Sequence, residues 1–178
     1  PSGVVTDGNS GNNYTLTLSN NLTGEITVAS LAVSGMSASN KTYDAATSAA
    51  LTGTPTVTPL GSDSVSVSGT GSGSFANANV GAGKAVTVTG YTLSGTDSGN
   101  YSITQPAGLT ANITARALTV TAGTDSKVYD STTTSDGTPT VTSGILQGSD
   151  SISAITQSYA TKTVGTGKTI IPSGVVTD

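Results

Sequence analysis

An internal repeat with a period of about 85 residues constrains the fold of this 178-residue chain more than any other feature. The segment Asn40-Lys41-Thr42-Tyr43-Asp44 returns as Ser126-Lys127-Val128-Tyr129-Asp130, at an offset of 86 residues. Further along, Val80-Gly81-Ala82-Gly83-Lys84 returns as Val164-Gly165-Thr166-Gly167-Lys168, at an offset of 84 residues. The motifs keep their order, so we expect two similar folding units.

The boundaries of these units follow from a second, longer period. The heptapeptide of residues 1–7 is repeated verbatim as residues 172–178, which gives a period of 171 residues, or alternating repeats of 85 and 86. We therefore expect residues 1–30 to be the C-terminal strands of a preceding repeat. Residues 31–115 are expected to form a complete repeat, termed the first repeat. Residues 116–178 are the N-terminal two-thirds of the next, termed the second repeat.

Two arrangements explain this layout. The chain is a window in a long tandem array, or it is a subunit whose N-terminal strands complete the next subunit by strand addition. The duplicated heptapeptide favours the array, because in strand exchange two identical segments would compete for one position. The expected partners are thus neighbouring repeats of the same chain, or identical chains joined head to tail.

Composition excludes several classes of function. The chain has no His, Cys or Trp, its charged residues amount to 9%, and its formal net charge is −4. Mechanisms that need His or Cys are therefore excluded, no basic surface is available for nucleic acid, and no apolar run is long enough for membrane insertion. The acids, one Glu and nine Asp, lie mostly in turns. We expect no enzyme activity, no cofactor, and an extracellular bacterial protein.

Alternating apolar and polar residues predict β-strands throughout. The alternation is clear in 14–18, 64–68, 85–89 and 118–121, where threonine and serine occupy the outward positions. Clusters such as Gly71-Ser72-Gly73-Ser74 predict turns, and only residues 45–51 tolerate a helix. About seven strands in each repeat of about 85 residues predict an all-β fold of tandem immunoglobulin-like β-sandwich repeats.

The junction between the repeats is short. A strand pattern over residues 109–114 is followed by another that begins at Leu118, with only Ala115-Arg116-Ala117 between them. A flexible linker would be longer and rich in glycine and serine. The repeats are therefore expected to be joined end to end with limited bending.

Three motifs in fixed order resemble the YDG and MBG-type immunoglobulin-like repeats. They are Lys-x-Tyr-Asp (Lys41 to Asp44 and Lys127 to Asp130), Val-Gly-x-Gly-Lys, and Gly-Asn-Tyr ending at Tyr101. Such repeats occur in tandem in large bacterial surface and secreted proteins, including haemagglutinin-like adhesins. The resemblance implies a stalk or spacer without catalytic residues. The family usually has glycine after Tyr-Asp, where this chain has Ala45 and Ser131.

The tyrosines of these motifs are interpreted as structural. Tyr43 and Tyr129 each lie between a lysine and an aspartate at the same repeat position, so a ring packed at the sheet end and an aspartate capping a turn explain them. Tyr14 and Tyr101 follow a turn and begin a strand, which is typical of the tyrosine corner of immunoglobulin-like sandwiches. Ligand stacking is the alternative role for Tyr43 and Tyr129.

One loop has the spacing of a weak calcium site. Asp7, Asn9 and Asn12 place oxygen atoms at spaced positions, as calcium loops do. However, a single carboxylate does not hold calcium tightly, and no acidic residue follows at the bidentate position. The sequence therefore favours a plain turn, and no metal is expected.

Together these features predict a non-catalytic stalk or filament repeat of a bacterial extracellular adhesin or surface fibre, projecting a binding region from the cell. Host or surface glycans would bind through other parts of the parent protein. Two alternatives stay open: a carbohydrate- or receptor-binding immunoglobulin-like module, and a head-to-tail filament subunit assembled by strand complementation.

Overall fold

Thirteen β-strands and one short 3-10 turn form the regular structure of the computed structural model, which describes residues 2–177. The prediction of an all-β chain is confirmed. Pro1 and Asp178, the first and last residues of the duplicated heptapeptides, lie outside the described residues. No helix in residues 2–177 has the length and apolarity needed to cross a bilayer.

Nine strands lie in the first repeat and the residues just before it. They are β1 (Ala29–Ala32), β2 (Ser34–Ala38), β3 (Lys41–Thr42), β4 (Ser48–Ala49), β5 (Leu51–Thr56), β6 (Ser66–Phe75), β7 (Gly81–Ser94), β8 (Tyr101–Thr104) and β9 (Thr110–Thr114). The 3-10 turn, Ser98–Asn100, precedes β8. The sequence pattern predicts about seven strands here, and the difference comes from short strands such as β3 and β4.

The main sheet of the first repeat has five strands in the order β3-β9-β7-β6-β4. Strand β9 lies between β3, with which it is parallel, and β7, with which it is antiparallel. Two smaller pairs accompany this sheet: β1 with β8 in parallel, and β2 with β5 in antiparallel orientation. Strand β9 is thus the inner strand that joins the start of the repeat to its long β6-β7 hairpin.

The apolar residues of alternating strands meet in one core. Its buried members come from β4, β6, β7 and β9 and from the residue after β1; they are Val33, Ala49, Phe75, Val86, Val88, Tyr91, Ala111 and Ile113. Ile113 on β9 is the most deeply buried, with 1% of its surface exposed. The hydroxyl residues between them face outward, as the alternation predicts.

The second repeat contains four strands within the described residues: β10 (Thr119–Thr121), β11 (Thr140–Ser143), β12 (Ser151–Tyr159) and β13 (Ile170–Thr177). Strands β10 and β11 form one antiparallel pair, and β12 and β13 form another. All buried hydrophobic side chains in residues 2–177 belong to the first repeat. The second repeat, as described, has no comparable core.

Three local predictions differ from the structure. Residues 14–18 alternate as a strand does but form none, whereas the matching residues of the first repeat, β8, pair with β1. Gly71-Ser72-Gly73-Ser74 is part of β6 rather than a turn, because a Cβ at Gly71 would collide with the Tyr91 ring. The helix-tolerant segment holds β4 and the start of β5.

Candidate functional site

The lysine of the Lys-x-Tyr-Asp motif closes the turn that follows it. Lys41 Nζ lies 2.7 Å from Asp44 Oδ1 and donates to the carbonyl oxygens of Ala46, at 2.6 Å, and Ser48, at 3.0 Å. The ammonium also lies 5.6 Å from the centroid of the Phe75 ring, which is within the range of a cation-π interaction. The lysine therefore ties β3, the turn and the end of β6 together.

The same cluster is built again in the second repeat. Lys127 Nζ lies 2.9 Å from Asp130 Oδ1, and it donates to the carbonyl oxygen of Thr132, at 3.1 Å, and to the hydroxyl of Thr134, at 3.3 Å. The Tyr159 ring takes the position of the phenylalanine, with its centroid 5.7 Å from the ammonium. The motif thus codes for one device used twice.

Both aspartates of this device have a lowered pKa. The hydrogen bond from Lys41 is the main cause for Asp44, followed by the backbone N–H of Ala46. For Asp130, the hydrogen bond from Lys127 and the N–H of Thr132 lower the pKa to about 2. The carboxylates are held in the charged form, which suits a structural ion pair and not a general acid.

The residue after Tyr-Asp has a left-handed backbone in both repeats. Ala45 has a φ of 59° and Ser131 a φ of 68°. This conformation brings the next N–H onto the aspartate: Ala46 N lies 3.0 Å and Thr132 N 2.9 Å from the preceding carboxylate. Glycine adopts it without steric penalty, so the turn itself explains why the family usually has glycine here.

The lysine of Val-Gly-x-Gly-Lys fastens the loop before it. Lys84 Nζ donates to Asn77 Oδ1 at 2.6 Å. In the second repeat, Lys168 Nζ donates to the hydroxyls of Thr161 and Thr163. Both lysines reach back to a residue seven positions earlier, so their role is to order a loop at the start of β7 or β13.

Tyr101 and Tyr14 occupy equivalent positions but differ in structure. The Tyr101 hydroxyl donates to Asp63 Oδ2 at 2.6 Å and accepts the backbone N–H of Leu60 at 3.0 Å, and the hydrogen bond to the carboxylate raises the pKa of Tyr101. This is the pattern of a tyrosine that fixes a turn through its hydroxyl. Tyr14 instead is 67% exposed.

The loop at Asp7 is organised by its own backbone. Asp7 accepts hydrogen bonds from the N–H groups of Asn9, Gly11 and Asn13, at 2.9, 2.7 and 3.1 Å, and these bonds, that of Asn9 first, lower its pKa. The Asn12 side chain donates to the Asn9 carbonyl. Residues 2–177 contain no group of three or more His, Cys, Asp or Glu able to hold a metal. The carboxylate lone pairs serve the turn.

Contacts cross the junction between the two repeats. Arg116 Nε donates to the carbonyl oxygen of Tyr43 at 2.8 Å, and the Tyr43 hydroxyl donates to Asp150 Oδ1 at 3.2 Å. A Cβ built at Gly148 would lie 3.0 Å from the Cβ of Ala45, so the 147–150 turn approaches the Lys-x-Tyr-Asp turn closely. The junction is therefore a packed contact as well as a covalent connection.

An open groove of about 540 Å³ lies in the second repeat, between residues 124–132 and 159–170. Three lysines line it, at positions 127, 162 and 168, together with Asp125 and Asp130. Val128, at its edge, is 88% exposed. No strand in residues 2–177 pairs with either Lys127-Val128 or residues 165–168.

The structure brings together the Lys, Tyr and Asp of each motif but not the two motifs themselves. Sequence reasoning missed the aromatic ring beneath each lysine and the junction partners, which are Phe75, Tyr159, Arg116 and Asp150. The repeat contained a signal for the rings, because Phe75 and Tyr159 are 84 residues apart, the offset of the Val-Gly-x-Gly-Lys motifs. No comparable signal marks the junction contacts.

Comparison with known proteins gives one match. The family described as the YDG domain matches residues 27–108 and 114–177, so each repeat matches separately and most of the chain is covered. No curated protein matches the chain, and no solved structure matches it. The two matched segments meet at the junction around Arg116.

Proposed function

Because this chain belongs to the YDG domain family, we propose that it is a non-catalytic structural repeat in the stalk or filament of a bacterial extracellular adhesin or surface fibre. In this role the repeats hold a binding region of the parent protein away from the cell. We further propose that each complete repeat is an immunoglobulin-like sandwich. Its support is that the five-stranded sheet and the β2-β5 pair both contribute to one apolar core.

The observation that carries the proposal is the junction between the repeats. Strand β9 ends at Thr114 and β10 begins at Thr119, so little free chain is available for bending. Arg116 and Asp150 both hold Tyr43, through its carbonyl and its hydroxyl. Since these bonds differ in direction, they resist both twisting and bending of one repeat against the other. Limited flexibility is what a spacer needs.

The chemistry of the surface fits the same role. The ionisable clusters described above are ion pairs and turn caps, and their lowered aspartate pKa values favour permanent charge. Serine and threonine number 26 and 34, and they cover the outward faces of the strands. Such a surface stays hydrated while offering few apolar contacts to other proteins. The proposal assigns no reaction and no cofactor.

A spin-label experiment tests the stiffness of the junction. The chain has no cysteine, so labels attach only at Thr52→Cys on β5 and Ser153→Cys on β12, both exposed positions. We expect one narrow distance distribution, broadened when Tyr43→Phe and Arg116→Ala are added. Tyr129→Phe, at the same motif position of the second repeat, is the matched control. A broad distribution in the labelled parent chain would overturn the stalk proposal.

The open groove of the second repeat favours a second candidate function. A sheet edge that no described strand covers can accept a strand from another chain, as in donor-strand assembly. The chain would then be a head-to-tail filament subunit joined by strand complementation. The two functions are compatible, because a fibre assembled in this way also needs stiff junctions.

A further inference from the structure

The first repeat shows which strand belongs in the groove of the second. In the first repeat, Ile113 on β9 is registered with Lys41 on one side and with Gly81 on the other. The matching residues of the second repeat, Lys127 and Gly165, both line the groove. The groove therefore has the position that β9 occupies in the first repeat.

Burial points to the same conclusion. In the first repeat, β9 supplies Ala111 and Ile113 to the core, and every buried hydrophobic residue of the described chain lies in that repeat. The second repeat has apolar residues at matching positions, but Val128 remains largely exposed. Apolar surface of this kind gains stability when a further strand covers it.

A segment near the N-terminus has the sequence of that strand. Leu22-Thr23-Gly24-Glu25-Ile26-Thr27 matches Leu109-Thr110-Ala111-Asn112-Ile113-Thr114 in its apolar and threonine positions. Leu22 is 94% and Ile26 is 101% exposed, and the segment belongs to no strand. It therefore presents the apolar positions of β9 without using them.

We propose that residues 22–28 of a second copy of this chain bind in the groove as an added strand. The strand runs parallel to Lys127-Val128 and antiparallel to residues 165–168, in the register of β9, so that Ile26 lies opposite Lys127 and Gly165. The inference rests on the proposed function, since it names the partner of a repeat within such a fibre. Main-chain hydrogen bonds give the affinity, and burial of Ile26 gives the register.

The polar contacts of β9 have counterparts in this complex. Asn112 Oδ1 accepts the backbone N–H of Gly83 at 2.7 Å, and Gly83 has a φ of 59°. Gly167 in the second repeat has a φ of 65°, so its N–H is available in the same turn. Glu25, the only glutamate of the chain, stands at the position of Asn112. Its carboxylate is suited to accept that N–H beside Lys168.

A second segment extends the match. Residues 14–17 align with β8, and a groove of about 430 Å³ lined by Ile145, Gln147 and Asp150 lies at the junction. In the first repeat the Tyr101 hydroxyl binds Asp63, the equivalent of Asp150. Tyr14 of the added chain can bind Asp150 in the same way. Asp150 would then join two repeats and the added segment.

A binding experiment with a peptide tests the proposal. A fluorescent peptide of residues 8–30 is titrated with the full chain, and anisotropy is measured. We expect saturable binding with one peptide per chain, and at least ten-fold weaker binding for a peptide carrying Ile26→Asp. The same peptide should suppress any concentration-dependent association of the chain in sedimentation. Absence of saturable binding, or equal binding of the Ile26→Asp peptide, would overturn the proposal.

The register is tested by disulfide formation. Thr42 and Thr114 are partners in the first repeat, so Val128→Cys in the chain and Thr27→Cys in the peptide are brought to a distance suited to a disulfide. Thr23→Cys in the peptide is the out-of-register control. Cross-linking should be at least ten-fold faster with Thr27→Cys, and equal rates would overturn the assigned register.

The outcomes separate this inference from the stalk proposal. A chain with a narrow spin-label distribution that binds no peptide keeps the stalk and loses the strand-acceptor site. A chain with a broad distribution that binds the peptide in register loses the stiff stalk and keeps the site. Val128→Cys changes a residue already exposed to solvent, so the variant is expected to fold.

Discussion

The Tyr43 hydroxyl of the first repeat donates a hydrogen bond to Asp150 Oδ1 of the second, at 3.2 Å. A hydrogen bond to a charged group contributes about 1.5–3 kcal/mol when well shielded, and less at a partly buried site such as this one. We predict a coupling of about 0.5–1.5 kcal/mol between Tyr43→Phe and Asp150→Asn. A double-mutant cycle measured by urea denaturation, followed by far-ultraviolet circular dichroism, gives the value.

Tyr129→Phe is the control for this junction bond. Its side chain is 57% exposed, and it occupies the same motif position in the second repeat. We expect it to show no coupling with Asp150→Asn. Strictly additive effects of Tyr43→Phe and Asp150→Asn would show that the contact does not stabilise the junction.

The left-handed residue of the first motif predicts a stabilising substitution. Ala45 has a φ of 59° and an exposed side chain, so Ala45→Gly removes the steric penalty of its Cβ. Part of the gain is lost because glycine is more flexible in the unfolded chain. We expect a net stabilisation of roughly 0.5 kcal/mol, read as a higher urea midpoint.

Ala46→Gly is the matched control, one position further on. Ala46 is exposed and has no left-handed φ, so glycine there should destabilise by about 0.5–1 kcal/mol. If both variants lower the midpoint, the turn is not strained at Ala45. Ser131→Gly should repeat the result of Ala45→Gly, since Ser131 has a φ of 68°.

How much of this fold was predictable depended on whether a pattern carries its own partner. The alternation at residues 85–89 is part of β7, because the strands on both sides of it lie within the same repeat. The equally regular alternation at residues 14–18 forms no strand. A strand needs a neighbouring edge for its backbone hydrogen bonds, and period-two patterning does not say where that edge lies.

Glycine was the other source of difference. The run Gly71-Ser72-Gly73-Ser74 has the composition of a turn, yet it lies inside β6, where Gly71 gives room to the Tyr91 ring. Composition alone does not distinguish a glycine needed for backbone conformation from one needed for close approach. At the motif, by contrast, the spacing of Lys41 and Asp44 was enough to predict an aspartate that caps a turn. The ring beneath the lysine was not predictable from spacing.

The lysine of the first motif should be important for stability. Lys41 makes three polar contacts and one cation-π contact, so Lys41→Met keeps the aliphatic stem but leaves Asp44 and the carbonyl of Ala46 without their donor. We expect a loss of about 1–3 kcal/mol, measured by urea denaturation.

Lys162→Met is the control for loss of a lysine charge. Lys162 is exposed, so its replacement should change stability by no more than about 0.5 kcal/mol. A loss from Lys41→Met no larger than that from Lys162→Met would mean that the motif lysine is dispensable for folding.

Acid should weaken the second repeat through Asp130. The pKa of Asp130 is about 2 in the folded chain, compared with about 3.9 for an unperturbed aspartate, because Lys127 and the N–H of Thr132 hold its carboxylate. A depressed folded pKa contributes stability that is complete above pH 4 or so and is lost as the pH falls toward about 2. Stability measured against pH should therefore fall across this interval.

Asp130→Asn should flatten that part of the pH profile, since the carboxylate responsible for it is gone. Asp136→Asn, which removes another aspartate of the same repeat, is the control and should leave the fall in place. Identical pH profiles for the parent chain and Asp130→Asn between pH 4 and 2 would contradict the assignment.

The different roles of β9 and its N-terminal counterpart can be separated by one pair of substitutions. Ile113 is 1% exposed in the core of the first repeat, so Ile113→Ala should destabilise that repeat by about 2–5 kcal/mol. Ile26 has the same position in its own segment but is fully exposed, so Ile26→Ala in dilute solution should change stability by at most about 0.5 kcal/mol. Urea denaturation of both variants gives the comparison. An equal loss from both would mean that residues 22–28 already pack as β9 does in the isolated chain, and then they could not act as a donor strand.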